Sequence, residues 1–192
     1  MKTKSSVHRI VFTALMAAIV FVLTLLYVPL GESKVHFGNA GSMLAGLLLG
    51  PWLGGAASGI GAFLFDLTHG YSLVEALVTF VSKFLMAMTA GLVAGAYRQS
   101  GNLLNRAGTV RMVLGCVVGG LTYIALYMLK TYVKQRYVVE VSLDGTLAAM
   151  LAKLPATAIN NGFAAVVTPL LYTALRPALN RIGIIDRLRP AE

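Results

Sequence analysis

The chain has 192 residues, of which 57% are hydrophobic and only 12% charged. Soluble domains carry about 25% charged residues, so this composition, with a mean hydropathy of +0.77, reads as an integral membrane protein without a separate soluble domain. The net charge of +9 does not point to nucleic acid: the basic residues lie at loop ends, and no basic face is interleaved with aromatics.

Met1 to Arg9 is short and basic (Lys2, Lys4, His8, Arg9), which places the amino terminus in the cytoplasm under the positive-inside rule. It leads into an apolar helix over about 7–30, with no short apolar region and A-x-A-like site of a cleaved leader. Ala14 and Ala18 are four apart on that helix and leave a shallow groove. The groove suits either packing within the bundle or docking of a partner. Gly31 to Asn39 reads as an outer loop carrying Glu32, Lys34 and His36.

The stretch from Lys34 to Asp66 organises the rest. As one helix it would be ~48 Å long at 1.5 Å per residue, too long for a single crossing. Pro51 lacks the N–H of an interior turn and pushes Gly50 away from helical angles. Two helices are expected, about 40–50 and 51–69, meeting in a tight turn at one membrane face. Their polar ends, Lys34, His36 and Asn39 on one side and Asp66, His69 and Tyr71 on the other, then converge at the opposite face as half of a small-molecule site.

A fourth helix is expected over about 73–97, interrupted by Glu75 and Lys83, followed by a polar cytoplasmic loop from Arg98 to Arg111. A fifth covers about 112–130 and ends with Tyr123, Tyr127 and Lys130; Cys116 within it reads as a small core residue. As the single cysteine it excludes an internal disulfide and a cysteine-based metal cluster. Val133 to Gly145 is expected to be the longest outer loop. The last apolar stretch, about 147–179, is expected to be broken near Pro155. The glycine pairs Gly46/Gly50, Gly55/Gly59, Gly91/Gly95 and Gly115/Gly119 predict close helix approach. Ten of the sixteen Lys and Arg fall on the proposed inner side and five of the seven acids on the outer. The expected fold is all-α: one multi-pass membrane domain over 1–192, six transmembrane helices, both termini cytoplasmic.

Lys83 is the sharpest chemical signal. It lies ~12 Å below the outer end of its helix, where an ionisable group needs a partner or a wet cavity. It is either a ligand contact or half of an ion pair with Asp66 or Glu75. Asn160 and Asn161, in the outer half of the last helix, have amides that pair with donors and acceptors of a heteroaromatic ring, or with neighbouring helices. Asn39 is a ligand contact or a helix N-cap. Tyr71, Tyr123 and Tyr127 stack on a ligand or belong to the interfacial belt. Asp66 and His69 share a helix face, but two ligands do not make a metal site, and none is expected. Motifs of catalysis are absent: no His-Glu-x-x-His, no phosphate-cradling loop, no acidic cluster. The run Gly55-Ala-Ala-Ser58-Gly59 superficially matches an intramembrane serine nucleophile, but its spacing is wrong and it sits near the cytoplasmic turn.

Nearly the whole chain resembles the substrate-binding S components of energy-coupling factor (ECF) vitamin transporters. The resemblance is carried by Ala14/Ala18, by V-H-F-G-N (Val35 to Asn39) with A-G-L-L-L-G-P (Ala45 to Pro51), by F-D-L-x-x-G-Y (Phe65 to Tyr71), and by T-F-V-S-K (Thr79 to Lys83). These motifs, with Leu154-Pro155…Asn160, look most like the branch for hydroxymethylpyrimidine or pyridoxine-type substrates. In that branch an acidic residue often stands where Asn39 is, and the stretch after Asn160 differs too. The resemblance implies a six-helix protein of the bacterial plasma membrane that binds a vitamin from outside with high affinity. It also implies docking, through Ala14 and Ala18 of helix one, onto a transmembrane T component bound to two ATPases. ATP is then used by those partners, and this chain itself needs no cofactor. The expected substrate contacts are Lys83, Asn39, His36, Asp66, Tyr71, Asn160, Asn161 and Tyr123. Another vitamin or a nucleobase-like compound is the alternative substrate; an intramembrane enzyme or structural protein with a wet outer cavity is the alternative class.

Overall fold

The computed structural model describes residues 2–30, 33–95 and 106–181. Within them run α1 (Lys2–Leu25), β1 (Tyr27–Leu30), β2 (Ser33–His36), α2 (Gly38–Leu49), α3 (Pro51–Thr68), α4 (Leu73–Ala94), α5 (Arg106–Val133), a π-helical turn (Lys134–Val138) and α6 (Leu143–Arg181). Gly31, Glu32, residues 98–105 of the expected cytoplasmic loop, Arg187 and Arg189 lie outside the described residues. The rest of that loop, Arg106 to Arg111, forms the opening turns of α5.

The centre of the bundle is α2, with all twelve of its residues buried. It contacts each of the other five helices. A helix apolar on every side is stable only when surrounded, and at ~18 Å it is too short to cross a bilayer. Its turn into α3 falls at Gly50-Pro51. Gly50 adopts φ +82°, a region that favours glycine, and Pro51 starts the next helix where its missing N–H costs nothing. Gly95 likewise ends α4 in the left-handed region at φ +71°. Gly50 and Gly95 are therefore turn residues rather than packing residues, whereas their expected partners Gly46 and Gly91 do pack. A Cβ on Gly91 would stand 2.7 Å from the Gly46 carbonyl oxygen, so α2 and α4 meet backbone to backbone.

The contacts fix the order of directions. Phe21 of α1 meets Phe65 of α3, and Gly59 of α3 receives Phe80 of α4. Gly119 of α5 faces Met86 of α4, and Gly120 faces Asn161 of α6. The start of α1 and the end of α6 thus lie at one end of the bundle, and the hairpin β1–β2 lies at the other. Among the described residues, four helical stretches are long and apolar enough to cross a membrane: Val7–Leu25, Leu73–Ala94, Ala107–Val138 and Leu143–Arg181. Large exposed apolar side chains such as Ile10, Val74, Leu121 and Val166 line their outer faces, as a lipid-facing surface requires.

Three expectations are corrected. The first helix does not run to residue 30: it ends at Leu25, and Tyr27–Leu30 pairs antiparallel with Ser33–His36 in the register Tyr27↔His36. The fold stays helical as expected, and among the described residues one two-stranded ribbon is added to it. Apolar Tyr-Val-Pro-Leu continues the hydropathy of α1, but Tyr and Val favour strand geometry, and Pro29 is tolerated in an edge strand. The outer loop expected from Val133 to Gly145 is largely helical, because α5 continues through the π turn to Val138. Finally, α6 is one helix of 39 residues that runs through Pro155, Pro169 and Pro177 without a break. Beside Pro155, the Thr157 hydroxyl donates to the Lys153 carbonyl at 2.9 Å, adding a local hydrogen bond in the turn the proline weakens.

Candidate functional site

A cavity of about 240 Å³ opens at the hairpin end of the bundle. Strand alternation puts Lys34 and His36 on one face of β2, and both line it, with Asp66 and Phe65 from α3 and Tyr71 from the following turn. A capping box between Ser72 and Glu75 starts α4, which brings Glu75, Thr79 and Lys83 down one wall. The end of α5 supplies Tyr123, Tyr127, Lys130 and Thr131. The π turn then swings Lys134 and Gln135 into the opening, and α6 adds Lys153, Thr157 and Asn160.

Lys83 is only 3% exposed. Its Nζ donates to the Asn39 Oδ1 and lies 4.3 Å from the centre of the Tyr123 ring. Asn39 Nδ2 in turn donates to Asn161 Oδ1 at 3.0 Å, and Asn161 Nδ2 to the Thr157 carbonyl at 2.8 Å. Lys83 is thus held from behind by a buried relay through α2 and α6. The ion pair considered with Glu75 is not formed: that carboxylate pairs with Lys134 at 2.6 Å. Asp66 lines the same cavity without an ion-pair partner at contact distance among the described residues.

Six of the eight expected substrate contacts line the cavity: Lys83, His36, Asp66, Tyr71, Asn160 and Tyr123. Asn39 and Asn161 do not; they stand behind Lys83. Asn39 is no N-cap either, since α2 begins at Gly38 with Phe37 in the capping position and no side-chain cap bond. The amide of Asn160 is committed elsewhere. Its Nδ2 donates to the Lys34 carbonyl and its Oδ1 accepts from the His36 N–H, both at 2.7 Å, so α6 pairs with β2 almost as a third strand would. Burial in the wall, with the Lys83 and Lys34 charges nearby, lowers the His36 pKa to about 3. The neutral ring accepts the Gly38 N–H on Nδ1 at 3.1 Å. His69 stacks on Phe65 at 4.0 Å, and no group of three or more metal-ligating side chains gathers among the described residues. Ser58, from the nucleophile-like run, is fully buried and donates to the Lys83 carbonyl at 2.9 Å.

Sequence reasoning missed Lys130, Lys134, Lys153, Thr79 and Gln135 as wall residues. The signal was available for the lysines: of the sixteen Lys and Arg, they are among the six that the positive-inside count leaves away from the inner face.

Ala14 and Ala18 are exposed in a separate apolar groove of about 740 Å³ between α1 and α3. The internal contacts of α1 are carried instead by Met16, Ala17 and Val20.

Fold and site define a multi-pass helical membrane protein with a small-molecule-sized polar cavity at one end. The chain belongs to the family described as the ECF-type riboflavin transporter, S component, which matches residues 4–177. That family comprises transporter subunits and not enzymes. Its description names riboflavin, not the hydroxymethylpyrimidine or pyridoxine branch that the motifs resemble. A solved structure described as the S component of a bacterial ECF transporter superposes with a TM-score of 0.57 over 89% of this chain and 96% of that one, at 21% identity, and shares the fold. An uncharacterised protein of Pyrococcus woesei is 33% identical over 109 residues, 55% of this chain. The match spans 64% of that relative's length.

Proposed function

We propose that this chain is the solute-capture subunit of an ATP-driven ECF importer in the plasma membrane, with both termini in the cytoplasm and the cavity facing outward. It captures a single-ring vitamin or vitamin precursor of the hydroxymethylpyrimidine or pyridoxine size. A T component and two ATPases then energise its delivery. The observation that carries the reading is the polar cavity at the end opposite the start of α1 and the end of α6, in a chain of the S-component family. Its volume of about 240 Å³ is below the ~300–1,000 Å³ of sites for drug-sized ligands. That size favours one ring over the three fused rings and polyol chain of riboflavin, the compound the family description names.

Within this reading Lys83 and Tyr123 contact the ligand, and Asn39 and Asn161 position Lys83. His36, Asp66 and Tyr71 close the opening. Asn160 holds the hairpin over it. Ala14 and Ala18 present the groove in which the T component docks.

Uptake by cells producing this chain with and without a T component and ATPases tests the proposal. Uptake of a single-ring vitamin is expected only with all subunits, while the isolated chain still binds it. Uptake by this chain alone, or turnover of a lipid or peptide, would reject the assignment.

A further inference from the structure

Five lysines line the cavity, each from a different element: Lys34 of β2, Lys83 of α4, Lys130 of α5, Lys134 of the π turn and Lys153 of α6. Against them, among the described residues, the cavity carries two carboxylates, Asp66 and Glu75. Glu75 is taken by Lys134 at 2.6 Å. Among the described residues none of the other four lysines has a carboxylate at ion-pair distance. Lys83 donates to an amide and Lys130 donates to the Thr79 hydroxyl at 3.1 Å, both neutral acceptors. Lys34 lies 4.5 Å from the Tyr27 ring centre.

Such a gathering has a cost. Like charges around one small cavity repel, and the repulsion grows as the local dielectric falls. Lysines within spans or on the outer side also run against the forces that orient a membrane protein. Yet of the six Lys and Arg that the topology leaves away from the inner face, Lys34, Lys83, Lys130, Lys134, Arg136 and Lys153, all but Arg136 line this cavity. They come from positions spread over most of the chain, so neighbourhood in sequence does not explain their meeting. A counter-charge that arrives with the ligand does.

We infer that the captured ligand carries an oxyanion, a carboxylate or a phosphate, attached to its small ring. This rests on the capture reading above and narrows its substrate class. In the free protein the lysines attract an anion into the opening, since a cavity lined by one sign of charge focuses its field. Once bound, the oxyanion accepts from ammonium groups, and the ring lies against the tyrosines of α5.

The test uses the purified full chain, stripped of copurified solute, and two matched pairs: nicotinate with nicotinamide, and pyridoxine 5′-phosphate with pyridoxine. Calorimetry is expected to show the acidic member of at least one pair binding at least tenfold more tightly than its neutral partner. Which pair responds distinguishes carboxylate from phosphate. Lys153→Met, at a lysine whose ammonium has no hydrogen-bond partner among the described residues, should weaken the acidic member about tenfold and narrow the gap to the neutral one. Circular dichroism and thermal unfolding confirm that the variant is folded; Lys130→Met gives the same comparison from a second element. Neutral members binding as tightly as the acidic ones would overturn the inference and leave capture standing. Binding of none of the four would also overturn the inference, while capture itself stands or falls by the uptake test above.

Discussion

Replacing Lys83 by methionine removes the ammonium and keeps the length of the side chain. Two consequences follow from its surroundings. The Asn39 Oδ1, in a residue with no exposed surface, loses its donor, and a buried acceptor left unpaired costs ~1–3 kcal/mol of stability. A ligand group facing Lys83 loses a partner of comparable worth, one to two decades of affinity at 1.4 kcal/mol per decade. The single variant therefore loses both stability and binding, so a second variant must separate them. In Lys83→Met/Asn39→Leu the orphaned oxygen is gone, and replacing both partners by apolar groups is close to neutral for stability. The Asn161 Oδ1 then lacks the bond it took from Asn39, so recovery is partial. Thermal unfolding of the purified protein should show that recovery, while calorimetry should show affinity still at least tenfold below wild type. Affinity that recovers together with stability would mean that Lys83 acts only through packing.

The remaining predictions concern the hairpin, the pH response and the α1 groove. Asn160→Leu removes both hydrogen bonds that tie β2 to α6; hydrogen exchange at Val28 and Val35 should rise at least tenfold, and unchanged exchange would remove the latch role. Because the His36 pKa falls from 6.5 to about 3 on folding, the unfolded chain takes up a proton between those values that the folded one does not. Its contribution to stability is complete above pH 6.5 and is lost as pH falls towards 3, by up to about 1.4 kcal/mol per unit; His36→Asn should flatten that slope in urea titrations. Filling the exposed groove with Ala14→Leu/Ala18→Leu should reduce uptake at least tenfold while binding by the isolated chain persists; loss of binding would place these residues in the internal packing.

How much of this was legible in the sequence depends on the range of the causes. The break at Gly50-Pro51 is local backbone chemistry, and it falls where proline and glycine demand it. The burial of Lys83 is legible because a charge ten residues past the start of an apolar helix has few alternatives. The hairpin was not legible. The apolar run from α1 into Tyr27–Leu30 has no hydropathy break, and only pairing with Ser33–His36 reveals the strand. Nor could the fate of the asparagines be read. The type of residue announces an amide, but whether that amide faces a ligand, a lysine or a strand depends on what α2 and β2 place opposite it. The lysine-lined wall is the extreme case: apart from Lys83, each lysine reads as an ordinary helix-end or loop charge in its own element, and only the bundle brings five of them together. At Pro155 a sound local rule lost to context, since one missing hydrogen bond is small beside the packing along 39 residues of helix.

Native mass spectrometry of the protein purified from cells grown with vitamins decides whether the cavity captures a single-ring solute. A one-to-one complex with a molecule of single-ring vitamin size is expected, displaced by excess of the same compound and at least tenfold less occupied in Lys83→Met. A protein carrying no such mass, or one whose bound mass is a lipid and is indifferent to Lys83→Met, would contradict it.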